Sequence, residues 1–238
     1  MSLDWLTARP IAHRGLHERS RGIVENTASA AQAAIARGFP IECDVQRTAD
    51  DDAVIFHDFA LERLTEDGRG PISALTAAEA GALTLRDTAD RAMRLEDFLA
   101  LVGGRVPLVV EVKSAFDGDM RLTDRTAGAV AAYAGPLVLQ SFDPAVLTHL
   151  RDHPALGGRT VPRGIVAEAN YDGPGYKGLS AERRRTLAEF LFFDEARPDF
   201  VSYRAADLPH AAPHLCRTAL GLPVLGWTIR APAQAAPS

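Results

Sequence analysis

Residues 40–57 read PIECDVQRTADDDAVIFH, and the fold turns on how this stretch is parsed. Two short apolar runs, 40–45 and 53–57, are separated by turn-forming residues, the pattern of buried strands. The spacer is too short for a crossover helix, which needs roughly a dozen residues, so the two runs are expected to pair as an antiparallel hairpin. With the turn centred on Ala49 and Asp50, Glu42 falls opposite His57. Outside this hairpin the chain alternates. Further apolar runs lie at 10–13, 107–113, 137–140, 164–167, 200–203 and 223–228. Between most of them sit alanine-rich helical stretches at 28–37, 95–102, 122–133, 144–153 and 181–192, the first behind a Thr27 N-cap and before Gly38. Alternating strands and helices imply a mostly parallel sheet. The strand runs are near-continuous rather than alternating, as expected of strands covered on both faces, which favours a barrel or a doubly wound sheet. A chain of 238 residues matches one (β/α)8 barrel, so residues 1–238 are expected to form a single TIM-like domain.

Composition narrows the function. The net charge of −5 is the wrong sign for general affinity to nucleic acid or anionic membrane. No apolar run is long enough to span a bilayer and residues 1–10 do not read as a signal peptide, so no integral membrane segment and a cytoplasmic location are expected. Cys43 and Cys216 lie far apart without metal-type spacing and are read as small buried hydrophobes. Nothing in the sequence sets the oligomeric state.

Four polar insertions interrupt the apolar strands. The first is His13-Arg14-Gly15, which brings a proton-transfer group, an anion clamp and a tight turn to a strand end. The second is Glu42-Cys43-Asp44, whose carboxylates at i and i+2 share one strand face. Two buried like charges repel unless a cation joins them, and a hard divalent ion suits carboxylate oxygens. The alternative is that arginines at a solvated mouth pair with them. The third insertion is His57-Asp58, and the fourth is Glu111-Val112-Lys113, where Glu111 and Lys113 again share a face and are open to reading as a buried ion pair. All four would converge at one mouth of a barrel, where TIM-barrel catalysis resides.

These residues, with Glu25-Asn26-Thr27, Thr48, Asp50, Arg63-Leu64-Thr65, Leu95-Glu96-Asp97, Ser141-Phe142-Asp143 and Gly226-Trp227-Thr228, resemble the glycerophosphodiester phosphodiesterase family, in order over almost the whole chain. The resemblance implies a phosphoric diester hydrolase on a TIM-like barrel. By similarity, Glu42, Asp44 and Glu111 hold one divalent cation, Mg2+ or Ca2+, and His13 and His57 are the acid–base pair. Arg14 and Lys113 bind the phosphate, while Glu25 supports the site and Trp227 lines the lumen near the substrate. The implied reaction releases glycerol 3-phosphate and an alcohol from a small glycerophosphodiester, in lipid and glycerol metabolism. Two alternatives stand beside it: a lysophospholipase D or related head-group phosphodiesterase, and a phosphate-binding barrel without activity.

The sequence departs from the family pattern after Arg230, where residues 231–238 replace the usual helix and strand, so an atypical or truncated C-terminal closure is expected. Val24 also stands where the family has proline. His149 and His153, like His210 and His214, are spaced by four but lack a metalloprotease glutamate and are read as surface histidines. Asp50-Asp51-Asp52 lacks calcium-loop spacing and is read as a solvated turn. Residues 169–179 read as a long loop of the kind that covers sites.

Overall fold

The structure, a computed structural model, describes residues 3–231 and 234. Among these, seven strands form one sheet: β1 (Ile41–Arg47), β2 (Ala53–Ile55), β3 (Leu108–Val112), β4 (Leu137–Ser141), β5 (Arg163–Ala167), β6 (Phe200–Arg204) and β7 (Val224–Trp227). Their order is β2-β1-β3-β4-β5-β6-β7, parallel throughout except for the antiparallel β1–β2 hairpin. The helices are α1 (Trp5–Ala8), α2 (Ala28–Ala36), α3 (Ala77–Ala82), α4 (Leu95–Val102), α5 (Arg121–Ala131), α6 (Pro144–Leu150), α7 (Ala181–Ala188), α8 (Phe193–Ala196) and α9 (Ala211–Thr218). The result is a TIM-like α/β barrel with one unzipped seam.

Strand parity separates core from lumen. On β1 and β3, Ile41, Cys43, Val45, Leu108, Val110 and Val112 point outward into a core shared with α4 and α5. The alternate positions, Glu42, Asp44, Val109 and Glu111, line a lumen of about 650 Å3. The floor is apolar: Leu6 of α1 packs with Val109, Val138 and Phe200. Phe200 fits only because residue 164 is glycine, since a Cβ there would stand 2.2 Å from its ring.

Residues 10–13 supply one parallel bridge rather than a full strand. Ala12 pairs with Ile41, its N–H donating to Pro40 O (2.8 Å) while its carbonyl accepts from Glu42 N (3.0 Å). No ladder joins this segment to β7 among the described residues, and α1 packs against β7 there instead. This is the atypical closure expected from the sequence. Of the tail at 231–238, residues 232, 233 and 235–238 lie outside the described residues.

The hairpin forms, with a register one residue away from expectation. Val45 faces Ile55, Gln46 faces Val54 and Arg47 faces Ala53, and Phe56 N–H donates to Asp44 O (3.0 Å), so Glu42 does not oppose His57. The turn explains the slip. Thr48 and Asp52 close it through Thr48 N–H to Asp52 O (3.0 Å) and Asp52 N–H to Thr48 Oγ1 (3.0 Å), with Asp51 left-handed at φ 56°, so its centre is Asp50. Moving a pairing by one residue exchanges the faces of a strand. Nor is the turn wholly solvated. Asp50 and Asp51 are exposed, but Asp52 is buried between Arg94 (2.6 Å) and Arg125 (2.9 Å).

Filling the glycine that admits Phe200 should overpack the floor. Gly164→Ala is expected to lower stability by about 1–3 kcal/mol, read as a lower urea midpoint with an unchanged slope; an unchanged midpoint would show that the ring is not held there.

Candidate active site

The first polar motif sits where the chain leaves residues 10–13. Arg14 and Gly15 both adopt positive φ (58° and 80°), and a Cβ on Gly15 would press within 2.9 Å of the Ala30 backbone, so the turn against α2 admits only glycine. This turn aims Arg14 in two directions. Its backbone N–H donates to Glu42 Oε2 (2.9 Å), and its guanidinium donates to Glu25 Oε1 (2.7 Å) and lies 3.5 Å from Asp44 Oδ2.

Glu42, Asp44 and Glu111 are brought together by the parallel register that sets Asp44 beside Glu111 and Glu42 beside Val109. All three are buried, at 7%, 1% and 6% exposure, and each offers an oxygen within 4.8 Å of the others. Lys113 partly compensates them, with Nζ 2.7 Å from Asp44 Oδ1 and hydrogen-bonded to Glu111 Oε1. Asn26 donates to Asp44 Oδ2 (2.8 Å) and accepts from its backbone N–H (3.3 Å). Burial alone would lower the Lys113 pKa; Asp44 and Glu111 more than offset that and hold the ammonium above its usual range. Burial likewise pushes Asp44 up, yet Lys113, His57 and Arg14 keep it below the ordinary carboxylate range.

Glu42 fares differently. Burial, then Asp44 and Glu111, raise its pKa well above normal, against only an N–H from Arg14 and the more distant Lys113. One ammonium therefore serves two of three buried acids, and the third is left under-neutralised. Such an all-oxygen donor set fits a hard divalent cation. Of the readings the sequence left open, Lys113 and Glu111 do form a buried ion pair and Arg14 lies beside Asp44, while the three acids could still hold an ion.

The two histidines differ in surroundings. His13 has its Nε2 3.9 Å from Glu42 Oε2, and burial, reinforced by Arg14, lowers its pKa to about 4, so it is neutral at physiological pH. His57 donates through Nδ1 to Asp58 Oδ1 (2.6 Å), and Asp58 accepts from Arg63 Nε (2.5 Å). Arg63 also reaches Glu25 through Nη1 (2.9 Å) and Nη2 (2.7 Å). Glu25 is thus the knot between two arginines rather than a group aimed into the lumen. Burial would raise it, but hydrogen bonds from Arg63 and the charge of Arg14 bring it down to about 2.

Trp227 lines the lumen as expected, donating from Nε1 to Ser202 O (3.0 Å) and packing edge-on against Phe142 at 5.5 Å. It belongs to an aromatic rim of which the sequence offered only Tyr171 and Tyr176 as a hint. Tyr176, from the long loop, packs against Phe116, Phe142 and Tyr171. Beneath it Glu168 is buried and accepts from Arg204 Nη1 (3.1 Å). The usable signal was Glu168 at i+2 from lumen-facing Val166. Among the described residues, no helix is long and apolar enough to cross a membrane.

Residues 13–236 match the family described as glycerophosphoryl diester phosphodiesterase. No curated protein matches significantly. Among solved structures, an Oleispira antarctica phosphodiesterase in complex with the product sn-glycerol-3-phosphate superposes with a TM-score of 0.74 at 22% identity, over 97% of this chain and 89% of that one. Glycerophosphodiester phosphodiesterases from Thermotoga maritima (TM-score 0.67, 20% identity, 95% and 89% coverage) and Agrobacterium tumefaciens (0.65, 20%, 93% and 87%) share the fold.

The Glu25 knot predicts an acid-sensitive stability. Its folded pKa, about 2, lies below the ordinary 4.5, so between these values the unfolded chain binds the proton and the folded chain does not. Stability from this group is therefore present above about pH 4.5 and lost as pH falls toward 2. Arg63→Ala should flatten that loss in acid denaturation followed by circular dichroism; an equally steep loss in the variant would dissociate Glu25 from Arg63.

Proposed function

The chain belongs to the glycerophosphoryl diester phosphodiesterase family of phosphoric diester hydrolases, and from that premise we propose that residues 1–238 act as one barrel domain hydrolysing glycerophosphodiesters to glycerol 3-phosphate and an alcohol. The observation that carries the proposal is the convergence of His13, His57, Glu42, Asp44 and Glu111 around one lumen. The product bound to the Oleispira antarctica phosphodiesterase supports this substrate class.

In this reading Glu42, Asp44 and Glu111 hold one divalent cation, which when bound supplies positive charge to the phosphate oxygens. Arg14 and Lys113 clamp the same phosphate and fix its orientation. His13, neutral through burial, takes the proton from the attacking water or substrate hydroxyl at Nε2. His57 gives a proton to the departing alkoxide from its own Nε2, because Asp58 accepts from Nδ1 and so sets the tautomer and steadies the imidazolium. Arg63 and Glu25 hold Asp58 in place without touching substrate.

A second reading, removal of the head group from a lysophospholipid, draws on the aromatic rim and on the apolar flank where the lumen reaches Leu6, Ile11 and partly exposed Ile229. A panel of glycerophosphocholine, glycerophosphoethanolamine and lysophosphatidylcholine, assayed for glycerol 3-phosphate and free head group, separates the two. Exclusive turnover of the lysophospholipid would overturn the first reading.

Excess chelator is expected to abolish turnover, and added Mg2+ or Ca2+ to restore it; full activity in chelator would remove the cation from the mechanism.

His13→Ala and His57→Ala should each lower kcat by roughly two to four orders of magnitude, and the wild-type rate should be bell-shaped in pH. The acidic limb falls as His13 gains a proton. An activated aryl phosphodiester needs little protonation of its leaving group, so it should rescue His57→Ala and not His13→Ala. Equal rescue of both would refute this division of roles.

A further inference from the structure

The outer helical layer brings a second group of ligating side chains together, none of which lines the lumen. Asp124 lies in the first turn of α5, His149 in the last turn of α6, and His153 just beyond it, capping the 3-10 turn Pro154–Leu156. Both imidazoles aim at one atom: His149 Nε2 is 2.6 Å and His153 Nε2 2.9 Å from Asp124 Oδ1. The ring centroids are 5.3 Å apart, and the three potential ligand atoms all lie within 4.8 Å of one another. The two histidine side chains are 36% and 11% exposed and Asp124 is 52% exposed, so one side of the cluster faces solvent while His153 is held in the fold.

Two imidazoles from different segments present the same ring nitrogen to the same carboxylate oxygen, so that two nitrogens and one oxygen lie within reach of a single ion. We propose that Asp124, His149 and His153 form a cation site for a borderline transition-metal ion of the Zn2+ type, which clips α5 to the segment after α6. Ligands arranged tetrahedrally about 2.0–2.2 Å from such an ion stand roughly 3.3–3.6 Å from each other. The contacts to Asp124 Oδ1, at 2.6 and 2.9 Å, need to open by about 0.4–1.0 Å, within reach of the exposed Asp124 and His149. Two nitrogens and one oxygen select the borderline metals, whereas the all-oxygen cluster at the barrel mouth selects hard ones, so the two sites sort ions by chemistry. Coordination through Nε2 moves the His153 proton to Nδ1 and forfeits the N–H donated there by Ala155, a long contact of 3.3 Å that contributes little.

The test is a Zn2+ titration of the full chain in excess Mg2+, with His149→Ala and Asp124→Asn alongside. Wild-type protein should bind one more equivalent of Zn2+ than either variant and show a Zn2+-dependent rise in Tm that both variants lack. Turnover with Mg2+ should be unchanged in both. Imidazole 15N resonances of the wild-type protein provide the control for misfolded variants, because Zn2+ should perturb those of His149 and His153. Equal Zn2+ stoichiometry in all three proteins, or perturbation confined to His13 and His57, would overturn the site.

Discussion

Three carboxylates buried side by side are the constraint to which the rest of the barrel mouth answers. Glu42, Asp44 and Glu111 stand on inward positions of two adjacent parallel strands and have almost no water to share their charge. In such a place charge is tolerated only with compensation. Lys113 is two residues from Glu111 on the same face, so the strand pleat itself delivers the first counter-charge. Arg14 delivers the second, and to reach it the backbone takes the left-handed conformation at Arg14 and Gly15. Glu42 is the carboxylate these two counter-charges serve least, which is why the cluster has the character of a cation site.

Around this centre the charges are organised in two chains. One runs from Arg14 to Glu25 to Arg63 to Asp58 to His57, and the other from Lys113 to Asp44 to Asn26. The first orients the His57 ring and the second holds the Asp44 carboxylate in place. Both draw on the loop that precedes α2, joined to the segment after β2 in one and to β1 in the other, so segments distant in sequence meet at the barrel mouth. The apolar floor of Leu6, Val109, Val138 and Phe200 closes the lumen below them, keeping the charged layer at one end.

How much of this was legible follows from parity and from distance. The strands could be read because both faces are covered, which makes their apolar runs continuous, and the carboxylates stood out for the same reason. Charges at i and i+2 in such a run have one face to share. The hairpin register was misread by one residue because it depends on Asp51 taking positive φ and on the Thr48–Asp52 closure, which a count of spacer residues does not contain. Helices α1, α3, α8 and α9 went unread; α1 has four residues, and its role rests on Leu6 meeting strands more than a hundred residues away. Glu25 was named by resemblance as a supporting group, but its bonds to Arg14 and Arg63 are not contained in that resemblance. Its two arginine partners lie 11 and 38 residues off, beyond any local pattern.

The open seam shows what closure is for in this barrel. A site assembled from facing walls of a lumen would lose its geometry if the ring were unzipped. Here Glu42, Asp44, Glu111 and Lys113 come from β1, β3 and the residue after β3, neighbours in the sheet and away from the seam, whereas His13 and Arg14 follow the segment at its edge and are held to β1 by the Ala12–Ile41 bridge and by Arg14 N–H on Glu42. Trp227 is the contribution from the seam strand, and it is tied sideways to Ser202 of β6 rather than across the gap. What the seam strand lacks in hydrogen bonds to residues 10–13 is offset by the packing of α1 against it. The acidic half therefore carries its own rigidity, and the opposite half is left to shape the rest of the lumen.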